Sequence, residues 1–329
     1  MRGCFACLTR RAATLFLFCT QTSPALFKGV IYINSFISWV GGKKALRDEI
    51  LLRFPIEYTK YVEVFGGAGW VLFHKPKGKD YEVFNDYDEL LINLYRCVRD
   101  SPEELKKEME YILNSRTDFL YMKELLRGKA PMPNPKRAAY FYALIRFSYG
   151  SSTDDYGGKP HSMWNAFPMI DAACNRLQRV IIENKPYDKL ITQYDRPDTF
   201  FYCDPPYYKA ENYPGGNFSR TDHSVLADLL CGLKGKFLLS YNDCEEIRAL
   251  YNRPGILVER VTRLSNLGLV YEKGKEYPEL FISNYDTREF LNSCVQMSLF
   301  KEYTNQLIGE RNIIYDRINE IHSCTTGNI

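Results

Sequence analysis

The run Tyr61–Phe65 (YVEVF) ends directly on a glycine cluster, Gly66, Gly67 and Gly69, and this junction of strand and turn sets how the chain can begin to fold. β-Branched and aromatic residues in a short run predict a strand, and the glycines behind it predict a tight turn. Trp70–His74 then begins a helix or continues the buried layer. Tyr81–Asn85 (YEVFN) reads as a second strand and Asp88–Val98 as an amphipathic helix. Strand, glycine turn, helix, strand is the opening of a parallel α/β sheet. Later strand-like runs at Val180–Glu183, Thr199–Cys203 (TFFYC), Lys236–Ser240 (KFLLS), Ile256–Val261 and Glu279–Asn284 extend it.

The intervening stretch is helical. Ser101-Pro102-Glu103-Glu104 is a helix start, with Ser101 as cap and acids near the positive end of the dipole. That helix is expected to reach about Leu113, with others over Asp118–Leu126 and Lys136–Phe147, and a break at Met132–Pro135. Residues 148–168, rich in Gly, Ser, Asp and Tyr, read as a loop or hairpin. The expected organisation is an N-terminal extension over 1–34, the first part of an α/β domain over 35–89, and a mostly helical insertion over 90–170. The second part of the domain covers 171–290, and a helical tail covers 291–329.

The 329 residues are 45% hydrophobic and 15% aromatic, which supplies a core and excludes disorder throughout. A formal charge of +3 permits a nucleic-acid partner without arguing for one. The ten cysteines are scattered, and Cys97, Cys174, Cys203, Cys231 and Cys244 fall within apparently regular elements, as reduced core residues would. Cys4 and Cys7 form one CxxC with no second pair and no matching histidines, so no metal is expected. Arg2, Arg10 and Arg11 before the apolar Ala12–Cys19 resemble a short signal peptide, but that run is too short to span a bilayer. The chemistry downstream favours a cytoplasmic protein with an N-terminal extension.

Asp204-Pro205-Pro206-Tyr207, directly after TFFYC, carries the strongest chemical signal. An aromatic amine is a poor nucleophile because its lone pair is delocalised into the ring. Acceptors for its hydrogens favour a more tetrahedral nitrogen. Asp204 offers a carboxylate, Pro205 a carbonyl in a backbone restricted by the proline pair, and Tyr207 a face on which a base can stack. A solvated Pro-Pro turn is the alternative. Position at the end of a buried strand favours a ligand site, since open α/β sheets bind ligands at strand carboxyl ends. Phe65, Gly67 and Gly69 form a turn that lets a nucleoside approach the backbone. Asp86, roughly twenty residues on, stands where a carboxylate grips ribose hydroxyls, or where it caps a helix. Trp39 and Lys43, around Gly41-Gly42, suit a cofactor bearing a carboxylate, although taken alone a buried Trp at an ordinary turn is the better reading.

Taken in order, FISWVGGK (36–43), EVFGGAG (63–69), NDYDELLINLY (85–95), RLQRVIIEN (176–184), FFYCDPPY (200–207), FLLSYND (237–243) and ELFISNY (279–285) resemble the Dam-like family of DNA adenine-N6 methyltransferases. The resemblance spans about residues 35–286. It implies a class I methyltransferase fold, a Rossmann-like mixed sheet with a helical target-recognition insertion, and S-adenosylmethionine as methyl donor without a metal. It implies Trp39, Lys43, Phe65, Gly67, Gly69, Asp86 and Asp204 at the cofactor, and Asp204, Pro205, Pro206 and Tyr207 around an adenine flipped out of double-stranded DNA. Pro186-Tyr187 departs from the acidic-aromatic pair the family often carries after the IEN strand. Arg146-Phe147-Ser148-Tyr149-Gly150 departs from its Asn-Arg recognition pattern, so a target sequence does not carry over.

Lys136, Arg137, Arg146 and Lys159 in the insertion, with Lys209 and Arg220 around the segment after DPPY, are the candidate DNA contacts. Tyr208–Ser219, which contains Gly215-Gly216, is the candidate lid over the flipped base. The expected enzyme is a monomeric, bacterial or phage-encoded, site-specific adenine methyltransferase, with a restriction endonuclease as a functional partner. Other readings are the same fold acting on cytosine N4, RNA adenine or a protein amide, an inactive DNA-binding relative, and a dinucleotide-dependent oxidoreductase.

Overall fold

The computed structural model describes residues 33–208, 218–264 and 276–289. The described residues up to Thr287 belong to one compact unit. The N-terminal extension, nearly all of the C-terminal tail, Lys209 and most of the candidate lid lie outside the described residues.

Seven strands make one sheet in the order β3-β2-β1-β4-β5-β7-β6. They are β1 (Lys60–Glu63), β2 (Tyr81–Asn85), β3 (Val180–Glu183), β4 (Thr199–Cys203), β5 (Lys236–Asn242), β6 (Leu257–Leu264) and β7 (Glu276–Ser283). β1 to β5 run parallel, and β7 pairs antiparallel with both β5 and β6. This is the mixed α/β sheet that the resemblance implies. β4 is buried at all five positions, as a central parallel strand covered on both faces must be. β1 ends at Glu63, two residues before its apolar run does, and Gly66 N–H then donates to the Asn85 carbonyl (2.7 Å).

Alternate strand residues feed two cores. Tyr61, Phe84, Phe200, Tyr202, Leu238 and Phe281 join one; Val62, Val64, Val83, Phe201, Cys203 and Leu239 join the other. The first core is roofed by α1 (Arg47–Leu51), α2 (Trp70–His74), α3 (Glu89–Asp100), α4 (Pro102–Glu110), α5 (Arg116–Arg127), α6 (Asn134–Phe147) and α7 (Phe167–Leu177). The second is roofed by α8 (Tyr187–Tyr194), α9 (Arg220–Cys231) and α10 (Glu245–Tyr251). The helices between β2 and β3 therefore share a core with the glycine-loop half of the sheet. Helix α6 reaches it most directly: the buried Tyr142 hydroxyl donates to the Phe36 carbonyl (3.1 Å), and Phe141 lies 6.1 Å from Trp39, edge to face.

Local chemistry departs from the sequence reading in three places. Ser101 makes no side-chain cap bond to α4, and the helix stops at Glu110. Ser101 stands at the N-cap of α4, where its carbonyl accepts from Leu105 N–H (3.1 Å), and it also closes α3, its backbone N–H donating to the Cys97 carbonyl (3.0 Å). Asp88 is the N-cap of α3 rather than its first residue, accepting from Leu90 and Leu91 N–H. Cys244 stands just outside α10 as its N-cap, without a side-chain cap bond. The five described cysteines are free thiols. None of the described helices is long and apolar enough to cross a membrane.

Candidate active site

The strand order reverses between β1 and β4, and the glycine loop and Asp204 follow their carboxyl ends. A crevice opens at such a switch point because the chain leaves the sheet toward opposite sides. Here it is a cleft lined by Trp39, Lys43, Glu63, Phe65, Gly67 and Asp204, among others. Gly67 is held at φ +50°, and a Cβ there would meet Trp39 Cδ1 at 3.0 Å, so a side chain would both strain the turn and intrude on the cleft.

Asp204 is the centre of the polar network. Its Oδ1 receives the Lys43 ammonium at 2.6 Å and the Ser240 hydroxyl at 2.9 Å. No described residue donates to Oδ2, which is left for the cleft. Burial pushes the Asp204 carboxyl above its usual range, while Lys43 and Ser240 oppose that rise. Lys43 is 4% exposed, yet it also lies 4.6 Å from the centre of the Tyr207 ring. That ring is tied at its far end, where the hydroxyl donates to Glu279 Oε2 at 2.8 Å. Asn242 fixes the next residue by accepting from Tyr208 N–H at 3.1 Å and donating to its carbonyl at 3.3 Å. Strands β5 and β7 thus clamp the Asp-Pro-Pro-Tyr segment.

Glu63 faces the same cleft. It is 2% exposed and accepts from the Tyr61 hydroxyl at 2.7 Å. Burial dominates its environment and raises its pKa from 4.5 to about 8. A cation in the cleft would favour its ionised form.

Trp39, Lys43, Phe65, Gly67 and Asp204 are brought together, whereas Gly69 and Asp86 do not line the cleft. Gly69 is the left-handed N-cap of α2. Asp86 stands behind the loop, with Oδ2 accepting from Gly67 N–H (2.8 Å) and Oδ1 from Asp88 N–H (2.9 Å). Burial raises its pKa to about 6. A carboxylate has about four lone-pair sites, so these bonds leave it capacity for hydroxyls. Tyr187 keeps an aromatic ring near the loop: it lies 5.8 Å from Phe65 and 5.4 Å from Phe218. Its hydroxyl is turned to Asp222 at 3.3 Å.

Glu63, Ser240 and Glu279 were given no role from sequence, although a signal existed. All three are polar residues within strands, and the period of two puts each on the face that carries Tyr202 and Asp204. The register completes the grouping: Glu63 pairs with Tyr202, Ser240 with Phe281, and Asn242 with Glu279.

The basic candidates separate. Lys136 and Arg137 start α6, and Arg146 ends it, about 14 Å away at 1.5 Å per residue. Lys159 shares a small pocket with Arg146. Arg220 is the exposed first residue of α9.

Residues 39–264 match the family model for D12 class N6 adenine-specific DNA methyltransferases. A type II methyltransferase of Lactococcus lactis, M1.LlaDCHI, is 26% identical over 79% of this chain and 98% of its own length. DNA adenine methylases of Haemophilus influenzae and Escherichia coli are 25% and 24% identical, over 74% and 75% of this chain and 91% and 95% of theirs.

Proposed function

The chain belongs to the D12 class of N6 adenine-specific DNA methyltransferases and methylates adenine N6 in DNA, and from that premise we propose that the β1/β4 cleft is its active site, with S-adenosylmethionine as the methyl donor. The donor carries a carboxylate, an ammonium, a sulfonium, a ribose diol and a purine, and the residues present complement these groups. Lys43 offers a cation, Glu63 and Asp204 offer anions, Trp39 and Phe65 offer aromatic faces, and the Gly67–Gly69 loop, backed by Asp86, offers close backbone approach. When bound, the sulfonium makes its methyl group electrophilic, so the protein need not supply a metal.

The observation that carries the proposal is the one-sided tether of Asp204. Oδ2 is free to accept one N6 hydrogen, and the Pro205 carbonyl can accept the other. The nitrogen lone pair is thereby directed out of the ring plane toward the methyl group. Tyr207, its hydroxyl anchored on Glu279, presents a ring face to the adenine, worth roughly 1–3 kcal/mol of stacking. Pro206 stiffens the turn between them. Since a base stacked in duplex cannot reach this cleft, the target must be flipped out.

We assign 35–89 and 171–290 to the methyltransferase domain and 90–170 to target recognition, with Lys136, Arg137, Arg146, Lys159, Lys209 and Arg220 toward the DNA. A monomer acting at one target sequence, beside a cognate endonuclease, completes the proposal; the type II name of the Lactococcus relative supports that setting. The test is transfer of tritiated methyl from S-adenosylmethionine to mixed-sequence duplex DNA, followed by nucleoside analysis. Label is expected in N6-methyladenine with the wild-type chain and not with a folded Asp204→Ala variant. Normal turnover by that variant would remove Asp204 from the mechanism, and no label from either would favour an inactive DNA-binding relative.

A further inference from the structure

The donor placed in the β1/β4 cleft has one direction across the sheet. Lys43 and Asp204 take its reacting end at the exit of β4, the glycine loop follows β1, and Asp86 follows β2. With the ribose at Asp86, the purine comes to rest one strand further on, at the exit of β3. Neighbouring strands are about 4.8 Å apart, a step that a ribose-linked purine spans.

The polar groups at that exit are already committed. The Asn184 amide donates to the Asp86 carbonyl (2.9 Å) and the Tyr87 carbonyl (3.2 Å), and Lys185 N–H donates to Asn85 Oδ1 (2.9 Å). Glu183 Oε1 accepts from the Tyr194 hydroxyl at 2.8 Å and from the Lys185 ammonium at 3.1 Å. Pro186, next in the chain, brings neither an N–H nor a side-chain acceptor. The Tyr187 hydroxyl is turned to Asp222, whose carboxylate is also held by the Ser219 hydroxyl (2.6 Å). What remains are the rings of Phe65 and Tyr187, which hold a purine by its faces and not by its edge.

Beside this exit the surface is hollow. Tyr87 and Asn184 also line a cavity of about 510 Å³, whose far wall is formed by Leu125, Leu126 and Ala130 at the end of α5. That size lies within the usual range of small-molecule pockets. The wall is tied down, since Lys129 N–H closes on the Leu126 carbonyl (3.2 Å) and Ala130 N–H on the Leu125 carbonyl (3.0 Å). Lys129 is held at φ +49° in this turn, a conformation that a residue with a Cβ keeps only where its surroundings fix it. Asp88, at the same cavity, is spent as the N-cap of α3.

We propose that the 6-edge of the donor's purine opens on this cavity without being read. The chain then selects its cofactor by the amino-acid and ribose ends and accepts purines altered or enlarged at position 6. Pro186 decides this by withholding an acceptor, and Leu125 and Ala130 by leaving room. The proposal rests on the donor reading of the cleft.

The full-length chain is titrated by calorimetry with S-adenosylhomocysteine, its 6-oxo analogue S-inosylhomocysteine and its N6-benzyl derivative. Both analogues are expected to bind within about tenfold of the parent, whereas a site built on a hydrogen bond to the amine would reject the 6-oxo compound by about 10⁴-fold or more. Ala130→Trp, and independently Leu125→Trp, narrow the cavity and should weaken the N6-benzyl compound selectively while the parent still binds. Rejection of the 6-oxo compound by the wild type overturns the unread edge, and rejection of the N6-benzyl compound overturns the opening. Undiminished N6-benzyl binding by a tryptophan variant that still binds the parent places the substituent outside this cavity and overturns its assignment. If the parent itself does not bind the wild type, the donor reading on which the proposal rests fails instead.

Discussion

Asp204 is held by one oxygen and offered by the other, and that asymmetry depends on Ser240. The hydroxyl donates to Oδ1 at 2.9 Å and lies 3.2 Å from the Tyr202 hydroxyl, in a fully buried position. Without it, Lys43 alone holds the carboxylate and leaves it free to rotate about its last bond. Ser240→Ala is expected to lower kcat by about ten- to a hundredfold, the equivalent of about 1.4–3 kcal/mol in the transition state. Cofactor affinity should change far less. Single-turnover kinetics and cofactor titration separate the two, and Ser240→Thr, which keeps the hydroxyl, should recover much of the rate. Equal losses in binding and turnover would reduce Ser240 to a packing residue.

Among the elements, the junction of β2, α2 and α7 depends on charges that never reach water. Arg176 on α7 grips Glu82 of β2 through both oxygens at 2.6 and 2.7 Å and donates to the Leu72 carbonyl at 2.9 Å. Lys75 approaches Glu82 at 3.0 Å and Asp80 at 2.8 Å, itself 1% exposed. A buried pair of this kind is a weak source of net stability, but removing one partner strands the other. Arg176→Ala is expected to destabilise the fold by about 3–5 kcal/mol. Replacing Arg176 and Glu82 together by Met and Leu should cost much less. Thermal and denaturant melts of the two variants and the wild type check this, and an equal cost for single and double replacement would show that packing rather than charge sets the junction.

At the scale of the whole molecule, the cleft carboxylate Glu63 links global stability to pH. With its pKa raised to about 8, the folded chain keeps a proton that the unfolded chain releases near 4.5. Between those values the native state binds more protons than the unfolded one, so this group's contribution to stability is complete below about pH 4.5 and is lost as pH rises through about 8. Glu63→Gln keeps an acceptor for the Tyr61 hydroxyl and removes the titration. Its melting temperature is expected to gain on the wild type steadily from pH 5 to pH 8. Parallel pH profiles would mean that Glu63 is already ionised in the free protein.

Much of this was legible in the chain itself. Three strands, Tyr81–Asn85, Val180–Glu183 and Thr199–Cys203, stand where their apolar runs predicted, because a buried parallel strand needs unbroken apolar residues and ends where they end. Asp204 and the glycine loop were legible for the same reason, since polar or glycine residues directly after such strands lie at the sheet's carboxyl edge. Capping was less legible. Ser101 stands at the expected N-cap of α4 but makes no side-chain cap bond, and Asp88 caps where a first helical residue was expected. Local sequence thus determined the strands, the turn and the chemical types gathered at one edge. Strand order and register, which depend on contacts far apart in the chain, decided that Lys43 and Ser240 share one oxygen of Asp204 and that Glu279 anchors Tyr207. Only the packing of α5 beside the exits of β2 and β3 brought Leu125 and Ala130 to one cavity with Tyr87 and Asn184, because residues distant in sequence meet only where backbone already held in place leaves them facing one another.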